Sequence, residues 1–177
     1  ILLSLVGSEM CIRDSFHSAQ WDHDHDLTAE RVAVIGSAAS AVQFIPEIAS
    51  TVEQLHVFQR TPNWILPKDD APYTEEQKQA FRDRPELMLK SRDALFEVIE
   101  LGLDYTARTT MEAITARATE QLLQVDDPEI RALLTPDYPW GCKRPLLSND
   151  YLPTFNRPNV ELVVDPVERV TASGILT

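Results

Sequence analysis

Apolar residues in the first part of the chain form short continuous runs separated by a stretch with helical spacing. The run at 31–36 ends in a glycine and predicts a buried parallel strand. Residues 37–49 carry apolar side chains at helical spacing, although Pro46 should end or kink that helix early. Residues 54–59 predict a second strand. This strand, glycine turn, helix and strand predict the opening of a βαβ unit.

The middle of the chain has a different pattern. A charged, proline-bearing break at 69–72 is followed by helical spacing from about 74 to 134. One stripe of this segment is expected to pack as an ordinary helix face; it contains Leu87, Met88, Leu95, Val98 and Ile99. Nothing in the segment suggests catalysis. It is interpreted as an all-helical insertion in an α/β frame.

The last part returns to loops and strands. Prolines are frequent between 136 and 158, residues 159–164 predict a strand, and 168–177 predict a hairpin. The predicted fold is α/β: a Rossmann-like nucleotide-binding domain, with part of a three-layer sheet, that carries the helical insertion. Its predicted boundaries are 16–68 for the first part, 69–135 for the insertion and 136–177 for the return, which we expect to be truncated within the hairpin.

The N-terminal residues 1–15 do not resemble protein-coding sequence. Met10 to Ser15 match the in-frame translation of a transposon end used in DNA library preparation, so the segment is interpreted as a non-native, disordered sequencing remnant. The apolar stretch 1–6 is too short to span a membrane. We therefore expect this chain to be a fragment of a longer protein with no membrane span.

Composition narrows the function. The net charge of −12 makes nucleic-acid binding unfavourable, so any anion site must be a local basic cluster. The two cysteines, Cys11 and Cys142, lack metal-type spacing and favour a reducing, cytoplasmic location. Cys142 is expected to be a packed thiol. Histidines and aspartates alternate at 22–26, but we interpret them as a solvated linker and predict no metal site.

The glycine turn is the first candidate site. It lies where strand passes into helix and aligns with the dinucleotide pattern G-x-G-x-x-G/A, with alanine in place of the second glycine. A helix N-terminus presents free N–H groups and partial positive charge to a pyrophosphate. The candidate residues are Gly36, Ser37, Ala38, Ser40 and Ala41. A plain strand–helix turn built from small residues would give the same pattern.

The end of the second strand refines this prediction. NAD-binding units usually place an acidic residue there, but this chain has Gln59, Arg60 and Thr61. An arginine can instead pair with the 2′-phosphate of NADPH. The sequence therefore predicts that all three residues belong to an NADPH site.

These motifs resemble the Baeyer–Villiger type of flavin-containing monooxygenase. His17, Trp21 and Asp22 resemble the second half of that family's fingerprint, F-x-G-x-x-x-H-x-x-x-W-P/D, and Gly141-Cys142-Lys143-Arg144 is similar to another family motif. The resemblance covers nearly all of 16–177. It implies that Arg60, Thr61 and Lys143 hold the NADPH 2′-phosphate. It also implies that Arg144 is the active-site arginine, and that the fingerprint residues form a linker that couples domain motion to the flavin.

The resemblance also implies a reaction. NADPH reduces FAD, and the reduced flavin takes up O2 as a peroxide that converts a ketone to an ester or lactone. The family's main FAD-binding motif should precede Phe16, so the isolated chain is expected to bind NADPH poorly and not to turn over. Two alternatives remain: a flavin monooxygenase that oxygenates nitrogen or sulfur, or a non-catalytic NADPH-binding module, including a broken reading frame. No oligomeric state is predicted.

Overall fold

The computed structural model describes residues 15–68, 70–103, 108–171 and 174–177, without the side chains of 101–103. The predicted remnant at 1–15 lies outside this range except for Ser15. The strands are β1 Arg31–Ile35, β2 Gln54–Phe58, β3 Ile65–Leu66, β4 Leu146–Leu147, β5 Val160–Val163, β6 Arg169–Thr171 and β7 Gly174–Leu176. The α-helices are α1 Ala39–Ile48, α2 Glu75–Asp83, α3 Pro85–Leu103, α4 Arg108–Gln121, α5 Pro128–Leu134 and α6 Tyr151–Thr154.

A three-stranded parallel sheet forms the centre of the molecule, in the order β1-β2-β5. Val34 pairs with Val57, and Val57 pairs in turn with Leu162 of β5. Leu55 and Val57 lie on the same face of the central strand β2 and have no exposed surface. The mixed α/β class with a parallel sheet, predicted from the apolar runs, is confirmed.

Helix α1 covers this sheet through Ala41, Val42, Ile45 and Ile48, which are all buried. Of the two expected effects of Pro46, an early end or a kink, the early end is wrong, because the helix continues to Ile48. Pro46 removes one backbone donor, yet Ile45 still accepts from the Ala49 N–H at 3.0 Å. The proline stands so near the end of the helix that the loss does not break it.

The segment between the sheet strands is helical, as predicted, over α2, α3, α4 and α5. Thr74 and Gln77 form a capping box at the start of α2. The prediction that the α3 stripe packs as an ordinary helix face is wrong for this chain: Met88, Leu95, Val98 and Ile99 are each more than half exposed. No described helix is long and apolar enough to cross a membrane.

Two smaller sheets complete the fold. The parallel pair β3-β4 joins residues about eighty positions apart and was not predicted, because two-residue strands leave no pattern in a sequence. The antiparallel pair β6-β7 is the predicted hairpin. Near β3, Trp64, Ala118 and Trp140 form a second buried cluster that fixes α4 against the loop before β4.

Candidate functional site

The glycine turn lies at the carboxyl end of β1. Gly36 has φ 103°, a left-handed conformation that favours glycine, and its N–H donates to the Phe58 carbonyl at 2.9 Å. Ala38 is the exposed N-cap of α1, and its side chain caps none of the first-turn N–H groups. Ser40 is exposed beside it, whereas Ala41 is buried against the sheet. The turn therefore presents uncapped amide donors, which suit an anion.

Arg60 and Thr61 follow β2 directly. Arg60 is exposed, Thr61 is half-buried, and no carboxylate pairs with Arg60 among the described residues. The parallel register pairs Ile35 with Phe58, so the segments after β1 and β2 leave the same edge of the sheet. The arginine and the glycine turn thus belong to one end of the molecule.

Asn63 connects the two segments. Its side-chain amide donates to the Ser37 carbonyl at 2.7 Å and lies 3.4 Å from the Ser37 hydroxyl. Ser37 is itself buried, so its backbone carbonyl needs such a donor. No sequence pattern assigned Asn63 a role, since its partner lies 26 residues away.

Tyr138 ties a third segment to the Arg60 loop. Its hydroxyl donates to the Pro62 carbonyl at 2.7 Å, and the Trp64 indole N–H donates to the Tyr138 carbonyl at 3.1 Å. The Lys143 ammonium lies 4.7 Å from the centre of the Tyr138 ring. Residues 60–64 and 138–143 are thereby held side by side, although about 75 residues separate them.

Lys143 and Arg144 are both exposed, and no described carboxylate pairs with either. Together with Arg60 they give three unneutralised cations in a chain whose net charge is −12. Cys142 beside them is exposed, so the expectation of a packed thiol is wrong. Its neighbour Gly141 has φ 88°, so the backbone turns at this point and leaves the thiol outside.

Gln59 occupies a different environment from its neighbours. Its side chain is buried and donates to the Leu133 carbonyl at 3.1 Å, at the end of α5. It was expected among the cofactor-binding residues, but this hydrogen bond makes it a link between the sheet and the helical segment. Its backbone N–H continues the sheet by donating to the Val163 carbonyl at 2.8 Å.

A buried phenol lies behind the glycine turn. Burial raises the pKa of Tyr151 well above its usual range, and the neighbouring Ser37 hydroxyl only partly offsets this. The Tyr151 hydroxyl has no hydrogen-bond partner among the described residues. Tyr151 and Asn63 thus both lie next to Ser37 in the glycine turn.

The fingerprint segment packs on the outside of α1. Trp21 makes edge contacts with Phe16 and with Phe44 of α1, at ring distances of 5.1 and 5.2 Å. His17 accepts from the Ala19 N–H at 3.0 Å and caps a short 3-10 turn, while Asp22 is exposed. The neighbouring His25 pairs with Glu30 at 3.0 Å. No three potential metal-binding side chains cluster in the part of the chain that the structure describes.

An open, apolar cavity of about 370 Å³ lies beside the loop that carries Tyr138. Its walls come from α4 and from the second core cluster, and include Trp64, Met111, Thr115, Pro139 and Trp140. Arg108 and Glu112, paired at 2.8 Å, also line it. The cavity can accommodate an apolar group. Trp140 in its wall precedes Arg144 by four residues in the chain.

The sequence and the fold of the chain were compared with those of known proteins. No family model matches the chain. It is 43% identical over 165 residues to a Baeyer–Villiger monooxygenase of Pseudomonas aeruginosa, an alignment that covers 91% of this chain and 31% of that protein. The chain is homologous to part of the Baeyer–Villiger monooxygenases. It spans about a third of the length of the curated relatives it matches.

Two solved structures share this fold over most of the chain. The structure of OTEMO in complex with FAD and NADP superposes with a TM-score of 0.74 at 32% identity, over 90% of this chain and 39% of that one. Cyclohexanone monooxygenase from Rhodococcus sp. Phi1, bound to NADP+, gives 0.74 at 27% identity, over 90% and 38%. The fold described above is therefore a recurring part of these larger enzymes.

Proposed function

We propose that residues 16–177 are the NADPH-binding part of an FAD-dependent Baeyer–Villiger monooxygenase, which inserts one oxygen atom of O2 into a ketone. The sheet order supports this, because β5-β2-β1 corresponds to strands 3-2-1 of a dinucleotide-binding half. In this proposal 16–68 and 136–177 form the Rossmann-like domain and 69–135 is its helical insertion. Dependence on NADPH and the cysteine content favour a cytoplasmic location.

The observation that carries the proposal is the set of unpaired donors around the turn. Arg60 and Lys143 are exposed, lack carboxylate partners in the described structure, and are connected through Tyr138. No acidic side chain follows β2 to bond a ribose 2′-hydroxyl, as an NAD site requires. This donor set fits NADPH: Arg60, Thr61 and Lys143 would hold the 2′-phosphate, and the turn from Gly36 to Ala41 the pyrophosphate.

Arg144 would act at the reaction centre. FAD, when bound by the complete protein, supplies the redox and oxygen chemistry. A guanidinium stays protonated and presents fixed donors, so Arg144 would orient the nicotinamide for hydride transfer and stabilise negative charge next to the flavin. His17, Trp21 and Asp22 would link domain motion to that centre. Trp21, packed between Phe16 and α1, would transmit the motion.

Cofactor selectivity tests the nucleotide part of this proposal. In the full-length protein that contains these residues, Arg60→Ala should weaken NADP+ binding roughly tenfold or more, because a charged hydrogen bond is lost. NAD+ binding should change less than about twofold. Titration calorimetry measures both, with Arg92→Ala, an exposed arginine of α3, as the matched control. Equal affinity of the unmutated protein for NAD+ and NADP+ would contradict an NADPH site.

Product analysis tests the reaction. A full-length Baeyer–Villiger enzyme should convert cyclohexanone to the lactone and consume one NADPH per product, and Arg144→Ala should abolish lactone formation. Conversion of a thioether without any ester or lactone would favour the heteroatom-oxygenating alternative. If the protein binds NADPH but does not oxidise it in the presence of FAD, the result would favour the non-catalytic NADPH-binding module. The 177-residue chain by itself is expected to be inactive.

A further inference from the structure

Tyr138 contacts both Lys143, five residues later in the same segment, and the Arg60 loop. Its hydroxyl reaches the Pro62 carbonyl at 2.7 Å, two residues after Arg60, and its ring lies 4.7 Å from the Lys143 ammonium. A cation over a tyrosine face is attracted by the ring quadrupole, whose face is partially negative. The hydroxyl of Tyr138 thus holds the Arg60 loop, and the face of its ring holds Lys143.

The tyrosine is itself firmly placed. The buried Trp64 donates its indole N–H to the Tyr138 carbonyl at 3.1 Å, which fixes the backbone that carries the ring. Burial raises the pKa of Tyr138, and Asp137 and Cys142 raise it further, against the opposing effect of a Trp64 backbone hydrogen bond. The hydroxyl therefore remains a neutral donor to Pro62 throughout the physiological range.

The Tyr138 ring is the contact that the structure describes for the Lys143 ammonium. Its side chain is long and exposed, and no described carboxylate pairs with it. A lysine without a partner samples many rotamers, and the entropy lost on binding a phosphate is then large. A ring that holds the ammonium close to the Arg60 loop removes part of that cost before the ligand arrives.

We propose that Tyr138 is a positioning residue that holds Lys143 beside the Arg60 loop and thereby sets the preference for nucleotides that carry a 2′-phosphate. The inference rests on the proposed NADPH site. Tyr138 itself does not contact the nucleotide. Its effect on affinity is confined to the 2′-phosphate, the part of the nucleotide that Lys143 would bind.

The test compares two simple nucleotides in the full-length protein: adenosine 2′,5′-bisphosphate and 5′-AMP, which differ only in the 2′-phosphate. Tyr138→Leu should weaken binding of the bisphosphate roughly two- to fivefold, the value of an exposed cation–π contact. Binding of 5′-AMP should stay within about twofold. Tyr138→Phe keeps the ring over Lys143 but loses the hydrogen bond to Pro62, so it should lower the ratio of the two affinities less than Tyr138→Leu does. Equal weakening of both nucleotides by Tyr138→Leu would mean a merely structural role and overturn the proposal.

A double-mutant cycle tests whether the effect passes through Lys143. In a Lys143→Met background, Tyr138→Leu should cause no further loss of the ratio, because the cation that the ring holds is gone. A full additional loss would overturn the proposal. Tyr73→Leu, at an exposed tyrosine before α2, is the matched control and should change neither affinity.

A second variant covers the case in which Tyr138→Leu does not fold. Replacing Tyr138 by 3,4,5-trifluorophenylalanine preserves the shape of phenylalanine but removes the negative ring face, so the ratio should fall relative to Tyr138→Phe. An unchanged ratio would overturn the proposal. If the unmutated protein binds both nucleotides equally, the NADPH site itself fails. If Arg60→Ala and Lys143→Met lower the ratio and the Tyr138 variants do not, only the role of Tyr138 fails.

Discussion

Asn63 illustrates how single side chains assemble this site from distant parts of the chain. Gly36 and Arg60 are candidates from local patterns, a turn and a strand end, and the family resemblance adds Lys143. Asn63 and Tyr138 cannot be predicted from the sequence, because their partners Ser37 and Pro62 lie 26 and 76 residues away. Their role is to form hydrogen bonds between segments that are distant in the chain, and a single sequence does not show which distant residues are in contact.

Tyr151 supports a prediction at the same scale. Its folded-state pKa is raised by burial, so the neutral phenol is favoured and its contribution to stability is complete below the ordinary tyrosine pKa of about 10. That contribution is lost as pH rises beyond this value, because unfolding then releases a proton. Tyr151→Phe should make the free energy of unfolding less dependent on pH above about 10.

The same variant has an expected effect at neutral pH. The Tyr151 hydroxyl has no hydrogen-bond partner in the described structure, so its removal should change the free energy of unfolding by less than about 1 kcal/mol, or increase it. Urea unfolding at pH 7 and at alkaline pH measures both effects, with Tyr73→Phe as the exposed control. A loss of several kcal/mol at pH 7 would mean that the hydroxyl is bonded. Some alkaline sensitivity should persist through Tyr138, whose pKa is also raised.

At the level of elements, the sequence predicted β1, α1 and β2 well because these follow one another and have strong periodicity. It did not predict the β3-β4 pair or α6, which are too short to show any periodicity. It also gave Pro46 too much weight, since a proline in the last turn removes only one hydrogen bond. In the proposed function helix α1 has a direct part, because its N-terminus forms one wall of the glycine turn.

Ile45 tests how strongly α1 is anchored. Its side chain has no exposed surface and lies in the main core cluster, so Ile45→Ala should lower the free energy of unfolding by about 2–5 kcal/mol. Leu123→Ala is the control, because Leu123 is 65% exposed and should change stability by about 0.5 kcal/mol at most. Chemical denaturation monitored by circular dichroism measures both. Equal losses would show that α1 does not depend on this core.

At the scale of the whole molecule, the main departure from expectation is the surface of α3. Periodicity identifies an apolar stripe correctly but does not say whether anything covers it. In this chain six large apolar side chains of α3 are each more than half exposed: Met88, Leu89, Leu95, Phe96, Val98 and Ile99. Six large apolar side chains exposed on one helix are unusual for an isolated monomer.

This surface leads to a prediction for the 177-residue chain. It should bind the dye anilinonaphthalene sulfonate at neutral pH, and the double substitution Phe96→Glu and Ile99→Lys should reduce the fluorescence at least about twofold by breaking the apolar patch. The helical circular dichroism should stay the same, because both changes are at exposed positions. The control exchanges two exposed charges of the same helix, Glu97→Lys and Lys90→Glu. If the Phe96→Glu, Ile99→Lys variant bound the dye as strongly as the unmutated chain, the dye would bind at a surface other than α3.

The sheet order has a consequence for how the protein is made. β2 receives its second neighbour only from β5, and 101 residues separate Phe58 from Val160. At a translation rate of about 5–20 residues per second, the open edge of β2 emerges from the ribosome roughly 5–20 seconds before its partner. During that interval the strand is an apolar template for pairing with other nascent chains. Chaperone supply and codon speed along the helical segment should therefore influence the yield of folded protein.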